Sequence, residues 1–91
     1  MPHSVALSWT ASTDVVDGYN IYRGSAAGQE TTKVNTALVT GTTFTDSTAE
    51  VGDDFYIVKS SLGGVESVGS NEVEAVLLPQ PPTGLKVTAS S

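Results

Sequence analysis

Large apolar residues fall on alternate positions along most of this chain. In Val5-Ala6-Leu7-Ser8-Trp9 they alternate with small ones, which predicts a strand with Val5, Leu7 and Trp9 on one face. Gly18 to Arg23 repeats the pattern, with Tyr19 and Ile21 pointing one way. Thr42 to Asp46 is short and threonine-rich, with Phe44 as its buried candidate, and Val34 to Val39 reads as a weaker strand split by Asn35 and Thr36. Asp54 to Leu62 is a further strand, and Glu66 to Leu78 closes the series with Glu72 and Glu74 outward against Val73 and Ala75. A helix is not predicted anywhere. The most compatible window, Ala26 to Val34, is broken by Gly28 and two threonines and carries no 3.6-residue stripe.

Asp54 to Leu62 allows two registers. Phe55, Ile57 and Lys59 inward would bury an unpaired ammonium at a cost of several kcal/mol, so Tyr56, Val58, Ser60 and Leu62 are expected inward. The expected core is centred on Trp9, with Val5, Leu7, Tyr19, Ile21, Phe44, Tyr56, Val58 and Val73 around it. Turn residues separate the runs: Ser12-Thr13-Asp14, Asp17-Gly18, Gly24-Ser25, Thr40-Gly41, Val51-Gly52-Asp53 and Gly63-Gly64. Short strands divided this often read as an all-β, antiparallel sandwich. Pro79-Gln80-Pro81-Pro82 cannot continue a ladder, favours extended polyproline geometry and reads as a linker. Beyond it, Thr83-Gly84-Leu85-Lys86-Val87-Thr88-Ala89 alternates again, with Leu85, Val87 and Ala89 on one face. The expected organisation is therefore a body over residues 1–78, a linker over 79–82 and a strand-like tail over 83–91.

These residues resemble a fibronectin type III domain, an immunoglobulin-like antiparallel β-sandwich. Val5 to Trp9 looks like the family's second strand, whose tryptophan sits in the core, and Gly18-Tyr19-Asn20-Ile21-Tyr22-Arg23 looks like its third. Val51-Gly52 before an aromatic strand resembles the turn that precedes the sixth strand. Ser70-Asn71-Glu72-Val73 resembles the start of the last strand, especially in bacterial members. Residues 83–89, preceded by prolines, look like a first strand, so the body is expected to lack its own and the order of the family is displaced. Tyrosine is usual at the sixth-strand corner, where this chain has Phe55 with Tyr56 next to it.

Composition narrows the function. The chain has 91 residues, a formal net charge of -6 and no cysteine, which excludes disulfides and thiolate metal sites. Ten acids against four basic residues argue against nucleic acid as a partner. No apolar run approaches the roughly 20 residues that cross a bilayer, so membrane insertion is not expected. Nor does a basic stretch followed by an apolar core open the sequence, so no signal peptide is expected in it.

Candidate chemistry is sparse. His3, the single histidine, lies beside Pro2 with no cysteine or serine–base partner near it in sequence. Asp46, Glu50, Asp53 and Asp54 cluster, but their spacing matches no calcium loop and acids are common in turns. Glu66, Glu72 and Glu74 read as a solvated face that guards against edge pairing. Tyr22, and Phe55 with it, point outward, where an aromatic can stack on a sugar ring or simply lie on the surface. No catalytic, cofactor-binding or metal-binding residue is assigned.

The resemblance implies a non-catalytic structural or interaction module, a spacer or adhesion domain of a larger tandem-repeat protein, extracellular or on the cell surface. A carbohydrate-binding module accompanying a polysaccharide-active enzyme is the alternative. Joining Val87-Thr88-Ala89-Ser90-Ser91 to His3-Ser4-Val5 recreates an unbroken first-to-second-strand passage, as in a repeat cut out of phase. In the family's topology the first and last strands run the same way. A tail returning to its own body must then cross about 25–30 Å, while the linker spans about 12–14 Å. The expected partner is therefore a second copy or a neighbouring repeat. Gly84, Leu85, Lys86, Val87, Thr88 and Ala89 form the intermolecular strand, and Val5, Leu7 and Trp9 line the acceptor edge.

Overall fold

A computed structural model describes residues 3–79 and 81–89. The chain is all-β and antiparallel, with no helix among the described residues. Seven strands run in order: β1 (His3–Ser8), β2 (Gly18–Gly24), β3 (Thr32–Lys33), β4 (Thr43–Ala49), β5 (Gly52–Leu62), β6 (Val65–Glu66) and β7 (Val73–Leu77). β1 and β4 form a two-stranded sheet. The larger sheet runs β3-β2-β5, with β6 and β7 sharing the far side of β5.

Pairing follows the alternation. On β2 and β5, Tyr19 faces Ser60, Ile21 faces Val58 and Arg23 faces Tyr56, so these six share the inner face. Asn20 opposite Lys59 and Tyr22 opposite Ile57 take the outer face. Lys59 is thus out of the core and lies 5.0 Å from the centroid of the Tyr22 ring, a cation–π contact that the outer register makes available. In the small sheet Val5 pairs with Asp46 and Leu7 with Phe44, so Asp46 and Phe44 share the face of Val5, Leu7 and Trp9. Gly63 and Gly64, with φ of 59° and 82°, make the two-residue turn between Leu62 and Val65; positive φ at both turn positions is the geometry that matches strand twist.

The centre of burial differs from the sequence expectation. Tyr19, Ile21, Ala49 and Tyr56 are the buried core side chains, whereas Trp9, Val5, Leu7, Phe44 and Val58 are half-buried. No strand among the described residues covers the outer side of β1, so Trp9 sits at the lip of the core instead of its centre. Val73 is 43% exposed for the same reason, and Leu62, expected inward, is 54% exposed because β5 runs past the small sheet at that end.

Two expected strands are broken by polar residues that take over the ladder's hydrogen bonds. Asn35 Oδ1 accepts the Ile21 N–H at 2.8 Å and its Nδ2 donates to Asn20 Oδ1 and to the Ala37 carbonyl. Val34 to Val39 is therefore no continuous strand; on this edge of β2, Thr32–Lys33 and a single bridge from Val39 to Tyr19 supply the strand pairing. Glu66 to Leu78 is likewise divided. Ser67 and Ser70 accept the Ser60 and Val58 N–H groups on their hydroxyls, at 3.0 and 2.9 Å, in place of backbone carbonyls.

Candidate functional site

Two places gather chemically capable side chains: the polar contacts between and on the sheets, and the open side of β1.

Between the sheets, Asp46 is 2% exposed and accepts four hydrogen bonds. Arg23 Nη1 (2.7 Å) and the Tyr56 hydroxyl (2.8 Å) donate to Oδ2, and the Thr48 N–H (2.9 Å) and hydroxyl (2.6 Å) donate to Oδ1. Burial pushes the carboxyl up, but the bonds from Thr48, Tyr56 and Arg23 outweigh it and hold Asp46 below the usual carboxylate range. Burial pushes the Tyr56 phenol up strongly, and its bond to Asp46 adds to the shift. Asp54 is also buried, with Oδ1 4.0 Å from Arg23 Nε; burial leaves its carboxyl above the ordinary value despite that cation. Half of the acidic cluster is thus turned inward onto Arg23, while Glu50 and Asp53 stay exposed. Among the described residues, no three metal-ligating side chains converge.

On the outer face, Glu66 Oε2 accepts from the Tyr22 hydroxyl (2.7 Å) and from Asn20 Nδ2 (2.8 Å). These two bonds hold the Glu66 carboxyl below its ordinary value, and the carboxylate in turn raises the Tyr22 phenol. Glu72 accepts the Gly28 N–H at 2.8 Å. All three glutamates expected as a solvated face are exposed, and Glu66 and Glu72 in addition tie chain segments together.

The open side of β1 is built by strand parity. The Trp9 N–H donates to the Thr42 carbonyl beyond the end of β4, at 2.9 Å. Backbone groups alternate along a strand, so Leu7 and Val5 also face β4, and Ala6 and Ser8 present N–H and C=O outward. On the side-chain face, Trp9 packs edge-on against Tyr19 with ring centroids 5.5 Å apart. Two adjoining cavities follow β1. One of about 160 Å³ lies at the Trp9 end, lined by Trp9, Tyr19, Val58, Val68 and serine hydroxyls. The other, of about 50 Å³, lies at Leu7 and is lined by Leu7, Trp9, Tyr56, Val58 and Val73. Trp9 Nε1 is buried here with no hydrogen-bond partner among the described residues.

Val5, Leu7 and Trp9 are thus brought together on one strand face beside an unpaired edge. The tail residues Gly84 to Ala89 are exposed and pair with no strand among the described residues. Ser90 and Ser91 lie outside the described residues. Sequence reasoning missed the Arg23–Asp46–Tyr56 contact. Its signal was parity: Arg23 shares the inward set with Tyr19 and Ile21, and Asp46 with Phe44. Searches against protein-family models and against curated proteins give no match to this chain.

Proposed function

We propose that this chain is a non-catalytic structural or interaction module with the immunoglobulin-like sandwich of fibronectin type III domains, serving as a spacer or adhesion unit in a tandem-repeat protein at the cell surface or outside the cell. The resemblance in sequence and the strand pairing, with β1 and β4 in one sheet and β3, β2, β5 and β7 in the other, support the topology. The observation that carries the functional reading is the use made of the inward polar groups. Asp46, Arg23, Tyr56 and Thr48 satisfy one another and lock sheet to sheet, which stiffens a small body instead of presenting a reactive group.

The carbohydrate-binding alternative rests on Tyr22, an aromatic beside the Glu66 carboxylate on the outer face. Lys59 over the ring and the bond from the Tyr22 hydroxyl to Glu66 already occupy part of that surface. Calorimetric titration with soluble polysaccharides separates the two. The spacer reading expects no heat of binding; binding that disappears in Tyr22→Ala assigns the chain to the carbohydrate-binding class and overturns it.

A further inference from the structure

We infer that residues 84–89 of one copy add to the open edge of β1 in another copy as an antiparallel strand, with Leu85 beside Trp9, Val87 beside Leu7 and Ala89 beside Val5. The inference rests on the reading of the chain as an interaction module and names that module's partner. Four observations carry it.

The edge is ready for a strand. Ala6 and Ser8 point backbone donors and acceptors outward, away from β4, and an added strand satisfies them. Beneath the edge the apolar face of Val5, Leu7 and Trp9 is only half covered.

The donor segment has the matching period and no place of its own. Leu85 is 100% and Val87 80% exposed. The molecule measures 70 × 23 × 20 Å, and its 17.7 Å radius of gyration exceeds the roughly 12 Å of a compact chain of this length. The tail therefore extends away from the body.

Cavity order sets the direction. An antiparallel strand meets the Trp9 cavity of about 160 Å³ first and the Leu7 cavity of about 50 Å³ two residues later. Leu85 and Val87 come in that order, the larger side chain for the larger cavity. In this register Lys86 and Thr88 exchange backbone bonds with the outward groups of Ser8 and Ala6, and Lys86 keeps its side chain in water. Trp9 lines both cavities, so an incoming strand covers its ring.

Reach favours a second copy over the chain's own tail. Leu77 pairs with Gly52, at the end of β5 opposite to Ser61, where β2 begins. Trp9 packs against Tyr19 at that β2 end, so β7 finishes at the pole away from Trp9. The tail of the same molecule must first run the length of β1 and then reverse to pair antiparallel. A second copy delivers its tail without that reversal. All ten acids precede Pro79, and Lys86 is the one charged residue after it, so charge draws the tail to an acidic body while reach decides which copy supplies it.

The contact is heterologous, one strand given and one received, and builds open chains or a closed ring. Sedimentation of the full chain, with emission of the single tryptophan as a local reporter, tests it. The wild type is expected to reach masses of two or more chains as concentration rises, with Trp9 emission shifting to the blue. Val87→Asp alters a side chain that touches little within one copy, and should abolish both changes. Ser8→Pro removes an outward N–H and should do the same from the acceptor side. Mixed together, the two variants should form one-to-one pairs and stop, because Ser8→Pro still donates and Val87→Asp still accepts.

A wild type that stays monomeric at every concentration overturns the inference. So does a Val87→Asp variant that associates like the wild type, or a mixture that forms no pairs. A monomer whose Trp9 emission is already blue relative to Val87→Asp places the chain's own tail in the groove, and also overturns it. Failure on any of these counts leaves the module reading intact, since that reading stands or falls on polysaccharide binding.

Discussion

Replacing Asp46 by alanine is the sharpest perturbation of the body. Asp46→Ala removes the acceptor for Arg23, Thr48 and Tyr56 at a residue that is almost fully enclosed. The Tyr56 hydroxyl is left buried without its acceptor, and the Arg23 guanidinium keeps the Thr48 hydroxyl at 3.0 Å and Asp54 at 4.0 Å. Breaking a buried pair by deleting one partner costs about 3–5 kcal/mol. Arg23 retains 18% side-chain exposure and can rehydrate, which places the expected loss near the lower end, about 3 kcal/mol. A domain of this length holds roughly 5–13 kcal/mol in all, so the variant should lose a large share of its stability. Urea unfolding followed by Trp9 fluorescence measures it. A loss below about 1 kcal/mol, the size of a surface ion pair, would refute the claim that this contact locks the sheets. The same group has an acid signature. The folded carboxyl lies below its unfolded value of about 3.9, so its contribution is present above that pH and is lost as pH falls through the folded value. Asp46→Asn should remove that acid-side dependence.

Asp54 carries the opposite sign: burial raises its carboxyl, so Asp54→Asn should leave stability at neutral pH unchanged or higher, measured by the same urea titration. Glu66→Gln should lower the Tyr22 phenol toward its ordinary value near about 10, read by absorbance titration, because the carboxylate is what raises it. Trp9→Ala should cost about 2–3 kcal/mol, less than a fully enclosed tryptophan, since the ring is half-buried and its main aromatic partner is Tyr19. Calcium should leave the melting temperature within a degree, as Asp46 and Asp54 are turned onto Arg23; a rise of several degrees would show a native-state site.

The strands and the faces of β2 and β5 were legible in the sequence because period-two alternation is strong there and Lys59 cannot be buried unpaired. Trp9 was placed too deep because alternation tells which face a residue takes, not how completely another strand covers that face. Asn35 reads as an interruption in the sequence and is one, whereas Ser67 and Ser70 fall inside a run that reads as one strand; the side chains of all three carry the ladder's hydrogen bonds onward, which depends on loop geometry that no local pattern encodes. Asp46 was grouped with its acidic neighbours in sequence. Its pairing with Phe44 on the inward face of β4 decides its role, and that is a matter of register between distant segments. The alternation of the tail and that of β1 are each legible in the sequence. The two cavities beside β1 are not, because they form only where β1 meets β5 and the segment carrying Ser67 and Ser70.

Amide hydrogen exchange along Leu85 to Thr88, at low and at high protein concentration, tests the central claim most directly. Strand addition between copies predicts free exchange when dilute and protection of alternate amides, those of Lys86 and Thr88, when concentrated. Equal exchange at both concentrations would contradict it.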